Sequence, residues 1–312
     1  VELEVSVREA YGKTLLELGM ENPDVVVLDA DLSRSTMTRL FARDFPERFF
    51  DCGIAEQNMI GIAAGLAASG KIPFASTFAV FAPGRCFDQL RMSVAQPQLN
   101  VKLVTSHGGI SVGEDGTSHQ SIEDLSLICS LPGFTVIVPA DAIETTQAVK
   151  AAADTFGPFY IRLCRPKIPL VYDEAYRFNL GKAVTMRQGG DATIIAIGLM
   201  VKAALEAAKN LEREGIYCRV LNMSTLKPID EEAITRAAAE TGAIVTAEEH
   251  LEQGGLGSAV ARVVTSHQPV PMEILAIKDT YAKSGKPAQL LEKFGLTAQD
   301  IEQAVRSAVK RK

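Results

Sequence analysis

Apolar residues alternate along the chain in two rhythms. From 8 to 18 they recur every three or four positions, as on a helix with one buried face. Pro23 then interrupts, and the β-branched run VVVL at 25–28 predicts a buried strand. The succession continues with strands near 48–52, 72–77, 101–106, 134–138 and 158–163, and with helical spacing at 55–69, 85–95 and 142–154. Strands alternating with helices predict a wound, mainly parallel sheet. Near 164–192 the rhythm lapses into a polar stretch with two prolines, which reads as a connector. Beyond it, ATIIAIG, a helix at 201–214, CRVLNMS, a helix near 230–240, AIVTAEE and EILAIKD repeat the alternation, and a final helix starts at about 298. The expected fold class is α/β, in two three-layer domains. Residues 1–170 form a mainly parallel domain, 171–190 a linker, and 191–312 a smaller mixed or parallel domain.

The length of 312 residues agrees, since one hydrophobic core seldom serves so long a chain. A net charge of −6 with dispersed basic residues argues against a nucleic-acid surface. Five cysteines, scattered and without a CxxC pair, suggest neither a disulfide framework nor a zinc site, and a reducing cytoplasm is the expected location. Neither a secretory signal nor a membrane span is expected: the longest apolar run, around ATIIAIGLMV, stops at Lys202.

In wound parallel sheets ligands sit beyond the carboxyl ends of the strands, so the loops leaving each strand matter most. The helix of 51–68, DCGIAEQNMIGIAAGLAA, opens on one carboxylate, Glu56, among small and apolar residues. Ile60, Ala64 and Ala67 share one face, while Gly61 and Gly65 strip another to backbone, where a second helix could cross closely. DADLSRST at 29–36 could cap a helix through Ser33 or Ser35, or hold an anion. Phe78 and Phe81 follow the strand at 72–77, and Arg85, Asp88 and Arg91 follow them. The loop at 106–124, SHGGISVGEDGTSHQSIED, combines four glycines, His107 and His119 with Asp115 and three further carboxylates. Histidine titrates near neutral pH and Asp115 can accept from a hydroxyl, a combination suited to acid/base work on a polyol. A metal held by His107, Asp115 and His119 is the rival reading. GGLGSAV at 254–260 reads either as an anion-binding helix start or as a plain helix entry.

FPERFFDCGIAEQNM, STFAVF, RCFDQLRMS and GEDGTSHQSIED, in this order, closely resemble the C-terminal half of transketolase, and in particular the separate C-terminal subunit of split transketolases. The resemblance covers essentially the whole chain. It implies a pyrimidine-binding domain for thiamine diphosphate, followed by a transketolase C-terminal domain. It implies that Glu56 hydrogen-bonds the cofactor's aminopyrimidine nitrogen, that Phe78 and Phe81 wall that ring, and that Asp31 lines the same pocket. His119 and Asp115 would contact donor hydroxyls, and Arg8, Ser35, His107 and Arg165 the substrate phosphate. The C-terminal domain would be structural.

Two departures stand out. Gln57 replaces a histidine common in transketolases, and Pro83 and Gly84 stand where some members place a third aromatic residue. The GDG motif through which such enzymes bind Mg²⁺ does not occur. The implied partner is therefore an N-terminal subunit holding most of the Mg²⁺ and diphosphate contacts, in a two-plus-two heterotetramer that transfers a two-carbon ketol unit between sugar phosphates. Another thiamine diphosphate reaction, deoxyxylulose phosphate synthesis or keto-acid dehydrogenation, is the alternative.

Overall fold

The structure, a computed structural model, describes residues 4–312. The first half runs β1 (Glu4–Val5), α1 (Val7–Glu21), β2 (Val25–Asp29), α2 (Ser33–Thr36), α3 (Arg39–Asp44), β3 (Phe49–Asp51), α4 (Glu56–Ala68), β4 (Ile72–Phe78), α5 (Ala82–Gln89), β5 (Lys102–Ser106), α6 (Asp124–Cys129), β6 (Thr135–Ile137), α7 (Ala142–Asp154), β7 (Phe159–Arg162) and β8 (Ile168–Pro169). The second half runs β9 (Val184–Arg187), β10 (Ala192–Ala196), α8 (Met200–Glu212), β11 (Cys218–Asn222), β12 (Thr225–Lys227), α9 (Glu231–Thr241), β13 (Ile244–Leu251), α10 (Leu256–His267), β14 (Met272–Ile277), α11 (Pro287–Lys293) and α12 (Ala298–Lys310).

The larger sheet has the order β12-β6-β7-β5-β4-β2-β3 and is parallel except for β12. Strands covered on both faces must be apolar on both, which is why VVVL carries no alternation. Val25, Val27, Phe74 and Ile161 pack with Tyr11 and Leu15 of α1 and Val149 of α7. Leu28, Ala75 and Leu103 turn to the opposite layer, against Met59, Ile60 and Ala63 of α4. The smaller sheet, β14-β13-β10-β11-β9, is parallel except for β9. Its one face is covered by Val201, Ala204 and Leu211 of α8 with Ile301 and Val305 of α12. Its other face shares a core with the first half, because Leu221, Leu256 and Val260 join the cluster that holds Met59 and Leu103.

Three local expectations are corrected. Val184–Arg187, within the stretch read as linker, forms edge strand β9 of the smaller sheet. Thr225–Lys227, expected within the second domain, pairs antiparallel with β6 at the edge of the larger sheet. The expected helix at 85–95 is α5 with non-helical geometry at Cys86, followed by a π-helical turn over Leu90–Ala95.

Candidate active site

The carboxyl ends of β2, β3, β4 and β5 converge on one edge of the larger sheet. Asp29, the last residue of β2, is fully buried and accepts from the Leu32 amide at 2.6 Å and from the hydroxyls of Thr36 at 2.7 Å and Thr38 at 2.9 Å. Burial nevertheless pushes its carboxyl up to about 6. Asp29 thus organises the loop, and neither Ser33 nor Ser35 caps α2 with its side chain. Asp31, exposed and in left-handed geometry at φ 61°, offers its amide to Asp51 Oδ1 at 3.1 Å. The same oxygen takes the Gly53 amide at 3.0 Å, so the β2 loop and the approach to Glu56 are tied together.

Glu56 opens α4 and is 4% exposed. Arg85 Nη1 donates to its Oε1 at 2.6 Å, and the same guanidinium lies 3.9 Å from the centre of the Phe81 ring. Gln57 holds this arrangement by donating Nε2 to the Arg85 carbonyl at 2.8 Å. Phe78 stacks on Phe81 with ring centres 5.8 Å apart and on His107 at 3.8 Å. His119 presents its ring edgewise to both phenylalanines, at 6.2 and 5.5 Å. Four aromatic rings, from the end of β4, the turn after it and the loop after β5, therefore form one wall beside the carboxylate.

His107 is 3% exposed and sits at φ 62°, its Nδ1 sharing a hydrogen bond of 2.8 Å with Ser106 Oγ. Burial first, then the neighbouring cations Arg8 and Arg165, lower its titration to about 3. The expectation that this histidine titrates near neutrality is corrected: burial and its cationic neighbours keep it a neutral donor or acceptor. Arg8 and Arg165, far apart in sequence, meet because β1 pairs antiparallel with β8. Arg8 donates to the carbonyls of Ser35 at 2.8 Å and Arg165 at 3.1 Å, while its buried Nε has no partner. Arg165 in turn donates to the Val112 carbonyl. Arg8, Ser35, Arg165 and His107 are thus brought together. Asp115 lies exposed on the same loop as His119 and takes no part in the ring contacts. Among the described residues, no group of three or more His, Cys, Asp or Glu side chains is placed to hold a metal ion.

Neither Arg85, which follows the phenylalanines in sequence, nor Asp29 and Gln57 carry a motif that announces a place in this site. The Arg85 guanidinium also tests whether a pyrimidine suits this place. It is planar, donates to Glu56 and lies on Phe81, so the wall already accepts a flat hydrogen-bonding group. On α4 itself, Gln57, Gly61 and Gly65 face outward with Ile62, and a Cβ on either glycine would meet nothing within 4 Å. GGLGSAV proves to be a helix entry, whose Leu256 and Gly257 amides are both taken at 2.7 Å by Glu248 of this chain.

A buried carboxylate with an aromatic wall at the carboxyl ends of a parallel sheet, joined to a second α/β unit, defines the class: a two-domain chain with a cofactor-type site open on one side. Residues 4–170 match the transketolase pyrimidine-binding domain and 181–301 the transketolase C-terminal domain. The chain belongs to the transketolase family, a family of transferases, and corresponds to its C-terminal section. It is 44% identical over 308 residues, 98% of its length, to a protein of Methanocaldococcus jannaschii named as a transketolase C-terminal section, of which it covers 96%. Human transketolase is 40% identical over 309 residues, but the chain spans only 49% of that protein. A solved split-gene transketolase, described as an inactive β4 tetramer, superimposes with a TM-score of 0.93 at 54% identity, covering 99% of both chains.

Proposed function

We propose that this chain supplies the pyrimidine half of a thiamine diphosphate site, completes it with a separate N-terminal transketolase subunit, and so transfers a two-carbon ketol unit reversibly from a ketose phosphate to an aldose phosphate. The observation that carries this reading is Glu56, a buried carboxylate at a helix start, joined to a planar donor that lies on an aromatic floor. The likeness to a split-gene protein whose β4 form is described as inactive supports the need for a second subunit.

When bound, the cofactor supplies carbanion chemistry at its thiazolium carbon. Glu56 would hold a proton at the pyrimidine ring nitrogen, which would take the place at Oε1 that Arg85 now occupies. Phe78 and Phe81 fix the plane of the ring, and Asp31 closes the pocket beside the β2 loop. His119 and Asp115 would bind the donor's hydroxyls. The forked donors of Arg8 and Arg165, with Ser35 and neutral His107, suit phosphate oxygens. Mg²⁺ and the diphosphate are held mainly by the partner, because this sequence has no GDG motif. The open face of α4, stripped to backbone at Gly61 and Gly65, is where a neighbouring subunit would pack in a two-plus-two assembly. Pentose phosphate interconversion in the cytoplasm is the corresponding pathway.

The test is ketol transfer from xylulose 5-phosphate to ribose 5-phosphate, with thiamine diphosphate and Mg²⁺, by the chain alone, by its mixture with an N-terminal transketolase subunit, and by that mixture carrying Glu56→Ala. Activity confined to the unmodified mixture is expected. An inactive mixture that forms the complex and binds cofactor would refute ketol transfer between these sugars.

A further inference from the structure

The loop carrying Asp115 and His119 is gripped by the second domain at both its base and its tip. At the base, Arg162, buried at the end of β7, donates Nε to Asp124 at 2.9 Å and Nη2 to the carbonyls of Ser121 and Glu249, each at 3.0 Å. Glu249, in β13, sends its carboxylate back across the domain boundary. One oxygen accepts the Ser111 amide and the other the Ser111 hydroxyl at 3.1 Å. Gly109, at φ 84°, has no room for a Cβ because this carboxylate fills the space. At the tip, Thr117 donates to the Ala282 carbonyl at 2.8 Å, Gln120 to the Lys283 carbonyl at 3.0 Å, and Ser284 to the Glu114 carbonyl at 2.5 Å. Glu114 precedes Asp115 directly, and Thr117 and Gln120 bracket His119.

We propose that the second domain positions the substrate-binding loop, through the Glu249 carboxylate on Ser111 and a strap at 282–284 on the loop tip. The proposal rests on the functional reading above. A loop with positive-φ glycines at 109, 113 and 116 loses much conformational freedom when ordered. Contacts from outside the loop must therefore hold the one shape in which Asp115 and His119 reach the sugar hydroxyls. Removing the carboxylate leaves the buried Ser111 amide without an acceptor. A small displacement at that base is carried to Asp115 and His119, whose placement sets how well the sugar hydroxyls are bound. Glu249 touches neither cofactor nor reacting atoms, so it is a positioning residue.

The experiment uses the mixture of this chain with its N-terminal subunit, thiamine diphosphate and Mg²⁺, comparing Glu249→Ala, Glu249→Gln and Thr117→Val. Three quantities are read: amide hydrogen exchange over 108–121, kcat and KM for ketol transfer, and deuterium exchange at the cofactor's thiazolium carbon, which needs Glu56 but not the loop. Glu249→Ala should speed loop exchange and lower kcat/KM by about tenfold, with most of the loss in KM, while thiazolium exchange holds. Glu249→Gln, which keeps an acceptor for the Ser111 amide, should restore most of both. Thr117→Val cuts one exposed strap bond, survives any folding defect at Glu249, and should raise KM by about threefold. Unchanged loop exchange and kcat/KM in a mixture that exchanges the thiazolium proton would overturn the proposal alone. Absence of thiazolium exchange in the unmodified mixture would overturn the functional reading, and the proposal with it.

Discussion

The two sheets end their parallel strands in opposite ways. At the carboxyl edge of the larger sheet, Glu56 is buried but its one ion-pair partner, Arg85, is half-exposed, and the helix that Glu56 opens keeps a bare outer face. Near the corresponding edge of the smaller sheet, β13 carries Glu248, Glu249 and His250, all buried and all engaged within the chain. Burial pushes both glutamates up to about 7 even against their amide donors and Arg162. A glycine-rich helix start is an anion site only while its amides are free. Here the Glu248 carboxyl takes those amides, so it holds structure in the second domain, whereas Glu56 of the first carries the proposed chemistry.

The largest effect should separate those two uses. Glu56→Ala should cut ketol transfer by about 10²- to 10⁴-fold, the range for losing a positioned proton-transfer group, with little change in the melting temperature of the assembled enzyme. Glu248→Ala should do the reverse, because it orphans the Leu256 and Gly257 amides at a buried helix start. A stability loss of about 2 kcal/mol is expected, with kcat nearly unchanged. Denaturant titration alongside initial rates reads both. A Glu248 variant that keeps its stability but loses turnover would erase the contrast.

The strands on either side of the contrast were legible because burial on both faces leaves an uninterrupted apolar run, as at Val25–Asp29 and Ala192–Ala196. β9 was not, since Val184–Arg187 lies on an edge, half-exposed, and looks like the polar connector around it. β12 was missed for a different reason. Three residues pairing into a sheet built from the other half of the chain leave no local trace. Phe78, Phe81, His107 and His119 could be singled out from their motifs, and they do share one wall. The meeting of Arg8 with Arg165 depends on β1 reaching β8, a pairing that two-residue strands do not announce. The missed signal for Glu249 was in view: a buried strand carrying two acids and a histidine has to find partners somewhere.

A smaller effect sharpens the account of the phosphate end. In the folded chain His107 stays neutral down to about 3, whereas the unfolded chain takes up the proton near 6.5. Between those values the unfolded state binds more protons, so acidification removes stability, by up to about 1.4 kcal/mol per pH unit for this single group. His107→Asn lacks the group, and the stability gap between the two proteins should move in the variant's favour as pH falls below 6.5. Urea titrations at pH 7.5, 6.0 and 5.0 measure it. A gap constant across this range would mean that the folded ring titrates normally, and that neither its burial nor Arg8 and Arg165 keep it neutral.

The smallest effect bears on Arg85, which links the open site to its own carboxylate. Its side chain is 46% exposed, so the ion pair with Glu56 is partly screened and contributes little to stability. Its importance is as a competitor, because Glu56 Oε1 cannot accept from the guanidinium and share a proton with a pyrimidine nitrogen in the same direction. Arg85→Ala should tighten thiamine diphosphate binding to the assembled enzyme by about threefold, the sub-kilocalorie value of such a pair, with melting temperature almost unmoved. Calorimetric titration distinguishes this from the opposite case. Weaker binding would make Arg85 a ligand of the cofactor, and the edge of the larger sheet would then be less open than its contrast with the smaller sheet requires.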